Sequence, residues 1–414
     1  MRSSAVLISA AILLGLCISC SRPNLSTHVL FSTGPNDTIP YRIPAIATMS
    51  DGSLLALSDY RHCKGDIGWG RVDIHGRISE DDGRTWGEEF VLVEGSGIPG
   101  AVDCGFGDAA IVADRHSGDV LVMMVCGQTV YWHSTTNRQN PNRIAMLRSS
   151  DNAITWDPWQ EVTEDIYSLF DDSSNGCVES CFIGSGKICQ SHIFRYGSHY
   201  RIYAALCARP GGNRVLYSDD FGQTWNVLGG MDALPAVNGD EPKCEELPDG
   251  RVVLSSRVRG GRIFNVFTYS DPSQAEGRWD EAVFSAEDNS GCVALDNACN
   301  GEILAVPAIR KEDGRKVHLA FQSVPLGPDR TRVGVYYKEV TAGMTSNDVA
   351  CRWEKPYQVS QMPSSYSTMT LQKNGNVAFY YEECAGVCPG GFDMIYKEIP
   401  VDTLTFDRYR IWKR

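Results

Sequence analysis

SEDDGRTW at 79–86 returns as SSDNAITW at 149–156 and again as SDDFGQTW at 218–225. The shared pattern is Ser-x-Asp-x-(Gly)-x-Thr-Trp, and its copies lie about 70 residues apart. A recurrence at such a period means one supersecondary unit repeated around an axis. The octet has the chemistry of a hairpin end. Ser and Asp can bond nearby backbone amides, and Gly83 and Gly222 can take positive φ, with Ala153 the one lapse. Thr and Trp then restart a strand, and the Trp buries a large apolar surface between repeats. Four short antiparallel strands with one such turn make a propeller blade. SDPSQAEGRW at 270–279 keeps Ser270, Gly277 and Trp279 and reads as a worn fourth copy.

The rest of the chain fits that unit. Strand-like runs recur as SLLALSDY, DVLVMMVC, YRIYAALC, RVVLSSRV, EILAVPAI, VGVYYKEV and NVAFYYEE. Each is short, rich in β-branched or aromatic residues, and bounded by turn formers. No linker or charge block divides the 414 residues. The expectation is an all-β chain: a signal over 1–20 and one six-bladed β-propeller over 21–414. Arg2 and the apolar run 5–16 read as the export signal, too short to span a bilayer. Ser19-Cys20 resembles the end of a lipoprotein signal. That implies lipidation at Cys20 and a place in the periplasm or at the cell surface, with plain secretion left open.

Fifteen cysteines include Cys17 and Cys20 in the signal, leaving thirteen, an odd number. Disulfides are possible after export, but at least one thiol stays unpaired. Cys177, Cys181 and Cys189 lack zinc-finger spacing, and no metal or other cofactor is expected. The net charge of −13 argues against nucleic acid as a partner. An anionic substrate would need a local cluster of cations.

YRIPAI at 41–46 supplies the second signal. Tyr-Arg-Ile-Pro near the start of a propeller with these octets resembles the bacterial and animal sialidases, and the likeness runs through most of 26–414. The resemblance implies a six-bladed propeller with Asp-box repeats that removes terminal sialic acid from glycoconjugates with retention. Sialic acid bears a carboxylate on its anomeric carbon. Arginine suits that group because its fork pairs bidentately with carboxylate and keeps its charge. The family's three arginines fall at Arg42, at Arg257 in RVVLSSR, and at Arg330 in DRTRVGVYY, with Arg332 as the alternative. The acid/base falls at Asp66, after the pocket arginine Arg61 in SDYRHCKGDIG; Asp59 is the local competitor. A carboxylate nucleophile would be repelled by the substrate's own carboxylate, and the family uses tyrosine. SSYSTMTLQKNGNVAFYYEE places it at Tyr366. The base that a phenol needs falls at Glu241, with Glu245 and Glu246 as alternatives. Glu382 matches the carboxylate that orients the first arginine, and Glu383 should face the other side of its strand. Asp108 in CGFGDAAIV matches a sugar-binding Asp or is only a turn at a strand's start.

Several readings stay open at this point. Tyr131 and Trp132 are candidates for an apolar N-acyl pocket. The octets should lie away from the pocket and carry fold, not chemistry. The substrate could be another 2-keto-3-deoxy sugar acid, such as Kdo or deaminated sialic acid, or the chain could be a glycan-binding propeller without catalysis. The resemblance also brings Cys63 near Cys384 or Cys388, as separate thiols or as a bridge tethering the Asp66 loop.

Overall fold

In the computed structural model, residues 25–33, 39–384 and 391–412 are described. The stretch 1–20 read as an export signal, with Cys17 and Cys20, and Cys388 lie outside them. Six antiparallel sheets follow one another around an axis. The first blade comprises Tyr41–Thr48, Leu54–Tyr60, Asp73–Ser79 and Phe90–Val93. The second comprises Phe106–Ala113, Val120–Cys126, Arg143–Ser149 and Gln160–Glu161, with Gly186–Lys187 added in parallel on its inner edge. His199–Arg209 centres the third, Val252–Val258 and Gly261–Asp271 the fourth, and Lys316–Gly327 and Thr331–Val340 the fifth. The sixth holds Ser364–Leu371, Val377–Glu383 and Asp393–Ile399. Its outer strand is Thr27–Phe31, from the other end of the chain, which closes the ring. Helix is confined to short pieces such as Thr163–Tyr167 and Ser346–Ala350.

Blades pack face to face, so a middle strand is covered on both sides and reads as a continuous apolar run. All seven residues of Val120–Cys126 are buried. The core is therefore a set of wedges between neighbouring sheets. One holds Leu57, Ile74, Phe106, Val122 and Met124; another Leu121, Met146, Ile202, Leu206 and Leu216; a third Val306, Phe321, Met369, Phe379 and Ile395. The axis is polar by contrast. Lys187 Nζ donates to Glu245 Oε2 at 2.5 Å, buried Lys243 lies 3.9 Å from Glu302, and Thr368 donates to Glu302. A buried charge needs such a partner.

The octets join the third and fourth strands of the first three blades, and their turns are congruent. Asp81, Asp151 and Asp220 each accept from the backbone N–H of the Thr four residues on, at 2.8 Å. Ser79, Ser149 and Ser218 each accept from the amide of residue 83, 153 or 222. That residue has φ of 80°, 64° and 81° in the three copies, so Ala153 occupies a position suited to glycine. The stretch 270–279 holds the same topological place but folds differently. Asp271 caps a short 3-10 turn, Pro272–Gln274, by accepting from the Ser273 amide.

Candidate functional site

At the opposite end of the blades lies a cavity of about 570 Å³. Four inner strands reach it, and each carries a β-bulge there. The register slips between Arg42 and Ala45, Gly107 and Ala110, Asp240 and Pro242, and Ser364 and Ser367. Those slips contain or adjoin Arg42, Asp108, Glu241 and Tyr366. A bulge re-aims a side chain and leaves backbone amides without ladder partners. Ile43, at φ 60°, and Asp108, at φ 57°, show how far the chain bends there.

Two buried carboxylates take up the freed amides. Glu382 Oε1 accepts from Ile43 N at 2.8 Å and its Oε2 from Tyr366 N at 3.0 Å. The same carboxylate accepts from Arg42 Nε at 2.8 Å. Burial alone would push Glu382 up, but the charge and hydrogen bonds of Arg42 and the two amides outweigh it and hold it below the usual range. Asp59 does the same in the first blade. It accepts from Asp108 N at 3.0 Å and from Arg61 Nη2 at 2.9 Å. Here burial wins over Arg61, and Asp59 is pushed up to about 6. Sequence reading weighed Asp59 only as a rival acid. The available signal was its place two residues before Arg61, on the same face of the strand's end.

Tyr366 stands at the centre. Its Oη donates to Glu241 Oε1 at 2.5 Å and accepts from Arg257 Nη1 at 3.0 Å. Arg257 also pairs with Glu241 Oε2 at 2.8 Å. Arg42 and Arg330 lie 5.7 and 5.6 Å from the centre of the Tyr366 ring. Burial and the neighbouring Glu241 push the phenol well above 10, against the pull of Arg257. Arg330 is held by the Ala298 carbonyl at 2.9 Å and lines the cavity; Arg332 does not line it. Glu245 and Glu246 point elsewhere, to Lys187 on the axis and to Ser191 and His192 N. Tyr381 Oη donates to Glu383, away from Arg42.

Across the cavity Arg61 touches three carboxylates. Besides Asp59, Nη1 lies 2.9 Å from Asp66 and Nη2 3.5 Å from Asp108. Asp66 is 56% exposed and faces the opening. Asp108 is pushed well up by burial first and then by Asp59 and Asp66. Beside them is an apolar recess. Tyr131 packs edge-on against Phe182 at 4.8 Å, and Ile67 and Val125 complete it. Trp132, paired with Tyr131 in the sequence expectation, also lines the cavity but lies outside this apolar cluster and is 60% exposed. Cys63 is a free thiol whose Sγ faces the Asp66 carbonyl, so it makes no bridge. Cys384 is disulfide-bonded. Of the two alternatives, the bridge does not hold for Cys63, which packs against the Ile67 recess as a separate thiol. Among the described residues, no group of His, Cys, Asp or Glu is placed to hold a metal ion.

No family model matches the chain. It is 29% identical over 374 residues to a sialidase of Micromonospora viridifaciens, covering 86% of this chain and 52% of that one. It is 26% identical over 312 residues to a sialidase of Paraclostridium sordellii, covering 74% of this chain and 71% of the relative. The chain is similar to sialidases both in sequence and in fold. It spans about half the length of the Micromonospora sialidase. In fold it matches the Trypanosoma rangeli sialidase in complex with the inhibitor DANA, with a TM-score of 0.66 at 18% identity, over 93% of this chain and 61% of that one. The sialidases are glycoside hydrolases, and their six-bladed frame is the one described above.

Proposed function

We propose that the protein is a retaining exo-sialidase acting on terminal sialic acid of glycoconjugates. The observation that carries this reading is the 2.5 Å contact between Tyr366 Oη and Glu241 beneath three guanidiniums. A binding propeller would need the arginines but not a phenol coupled to a carboxylate. Arg42, Arg257 and Arg330 hold the substrate carboxylate by charge-assisted hydrogen bonds. Tyr366 Oη attacks the anomeric carbon while its proton passes to Glu241. The bond to the glycosidic oxygen breaks, and that oxygen takes a proton from Asp66. Burial and Glu241 disfavour a free phenolate at Tyr366, which favours attack coupled to proton transfer to Glu241. In the second step Asp66, now a carboxylate, takes a proton from water. The water oxygen bonds to the anomeric carbon, and Tyr366 leaves with the proton from Glu241. Asp66 is tied to Arg61 in this structure, so its acid role requires it to leave Arg61 for the glycosidic oxygen.

Asp108 and the Tyr131–Phe182 recess favour an N-acylated sialic acid over Kdo, which has no acyl group to fill that recess. The export signal and a lipid at Cys20 would place the enzyme where extracellular sialylated glycans are met. Three measurements test the reading. A chromogenic sialoside should be turned over and the matching Kdo glycoside should not. A fluorinated sialosyl reagent should label Tyr366, as read by peptide mass spectrometry, and labelling on a carboxylate instead would remove the tyrosine from its role. Incorporation of a labelled fatty acid should be lost in Cys20→Ala.

A further inference from the structure

The three arginines of the cavity are not held alike. Arg42 pairs with Glu382 and Arg257 with Glu241, whereas Arg330 has no carboxylate within ion-pair reach among the described residues. Neutral acceptors hold it instead. Its Nη2 donates to the Ala298 carbonyl at 2.9 Å and its Nη1 to Ser365 Oγ at 3.4 Å. Its own backbone sits at φ 57°, a region that L residues seldom adopt. The aim of this guanidinium therefore depends on where the Ala298 carbonyl stands. That carbonyl belongs to the stretch 291–302, which forms neither strand nor helix. On one side, the Asn297 carbonyl accepts from Gly260 N at 3.1 Å, and Asn297 Nδ2 donates to the Gly327 carbonyl at 2.9 Å. On the other side, the Cys299 carbonyl accepts from Arg262 Nη1 at 3.1 Å.

Arg262 is among the largest fully buried side chains of the protein. It stands directly across the strand pair from Arg257 and does not line the cavity. Its Nε donates to Ser255 Oγ and its Nη2 to the Ser255 carbonyl, both at 3.0 Å. Among the described residues no acidic side chain makes an ion pair with it. A buried guanidinium with only neutral acceptors is costly, and an apolar side chain of like volume would fill the same core. What an apolar residue could not do is hold Cys299. With the planar fork locked on Ser255, one N–H is left in a fixed direction for the Cys299 carbonyl. We propose that Arg262 is a positioning residue that aims Arg330 at the substrate carboxylate through the Cys299 and Ala298 carbonyls. This rests on the sialidase reading above, in which Arg330 meets that carboxylate.

A double-mutant cycle tests the route. Arg262→Gln and Arg262→Lys are made in wild type and in Arg330→Ala, with unfolding temperatures as a check on the fold. The readouts are inhibition by a 2,3-unsaturated sialic acid and steady-state kinetics on an aryl sialoside. In the wild-type background Arg262→Gln should weaken the inhibitor about tenfold and raise KM, with kcat within about threefold. Arg262→Lys keeps the charge but not the fork and should lose about threefold; it carries the test if Arg262→Gln does not fold. In the Arg330→Ala background both changes should shift inhibition by less than about twofold, because the group they aim is gone. Equal losses in the two backgrounds would make Arg262 structural and overturn the proposal. A fall in kcat at unchanged KM would overturn it as well, by routing the effect through Cys299, which packs against Tyr366. So would the absence of any loss in the wild-type background. If wild type neither binds the inhibitor nor cleaves the sialoside, the sialidase reading itself fails and takes this proposal with it, a result seen before any variant is compared.

Discussion

The two ends of the propeller both use aspartates to receive backbone amides, with opposite consequences. In the octets, Asp81, Asp151 and Asp220 sit near water and accept from their own turn. Hydrogen bonds from Thr155 and Ser149 hold Asp151 down at about 2. At the cavity end, Asp59 receives an amide from the next blade and is pushed up to about 6, because burial costs its charge more than Arg61 returns. The octet's turn is thus local and repeatable. The cavity end is held by contacts between blades, and its groups are costly to keep charged. That cost is what gives the arginines a desolvated place in which to meet a carboxylate.

If the division between the ends is right, the largest effects belong to the cavity. Asp66→Ala should cut kcat on sialyllactose by about 10²–10⁴-fold, and much less on aryl sialosides that need little protonation to depart. An equal loss on both would make Asp66 a positioning residue. Arg42→Ala, Arg257→Ala and Arg330→Ala should each weaken a sialic-acid-like transition-state mimic by on the order of 2–5 kcal/mol, as read by calorimetry. Arg332→Ala should change binding little, and the reverse pattern would exchange those two arginines.

The octet end should answer in stability and not in turnover. A Cβ on Gly83 would lie 2.0 Å from Tyr396 Oη and 2.3 Å from its Cζ, whereas one on Gly222 would meet Leu121 Cδ2 at 2.6 Å and Trp225 Cζ2 at 3.1 Å. Gly83→Ala should therefore cost about 2–4 kcal/mol in denaturant unfolding and Gly222→Ala about half that, with kcat of the folded enzyme unchanged. Ala153, already at φ 64°, indicates that the backbone alone tolerates the methyl group.

The smallest effect is a difference of sign in pH dependence. Asp220 is held below its unfolded value near 4 by Thr224 and Ser218, against burial. Its contribution is present above about pH 4 and is lost as the pH falls through its lowered folded value. Asp59 is raised in the fold, so its stabilising part is present below about pH 4 and is lost as the pH rises through about 6. Compared with wild type by thermal melting, Asp220→Asn should lose ground as the pH climbs from 2 to 4. Asp59→Asn should gain ground from 4 to 6. The same slope for both would dissolve the contrast between the ends.

What the sequence determined by itself is local. The Ser and Asp bonds that shape each octet's turn lie within its eight residues, so Ser79, Asp81, Gly83 and Thr85 carry their own turn wherever it stands. The short apolar runs are likewise their own evidence, because a strand buried on both faces must be apolar throughout. The worn copy at 270–279 was legible in position but not in form, since Asp271 bonds forward to Ser273 and the Ser–Asp link of the other copies is absent. The individual site residues were legible one at a time through their motifs. Only the tertiary structure decided how they meet. Tyr366 and Glu241 are 125 residues apart, and Arg42 and Glu382 are 340 apart. The bulges that aim Arg42, Asp108, Glu241 and Tyr366 inward have no signature in the chain. A bulge is set by the register of the partner strand and by whether a buried carboxylate, Glu382 or Asp59, stands ready to accept the amides it frees. The parting of Tyr131 from Trp132 follows the same rule. Both line the cavity, and only packing decides that Tyr131 joins the apolar recess while Trp132 stays exposed to water.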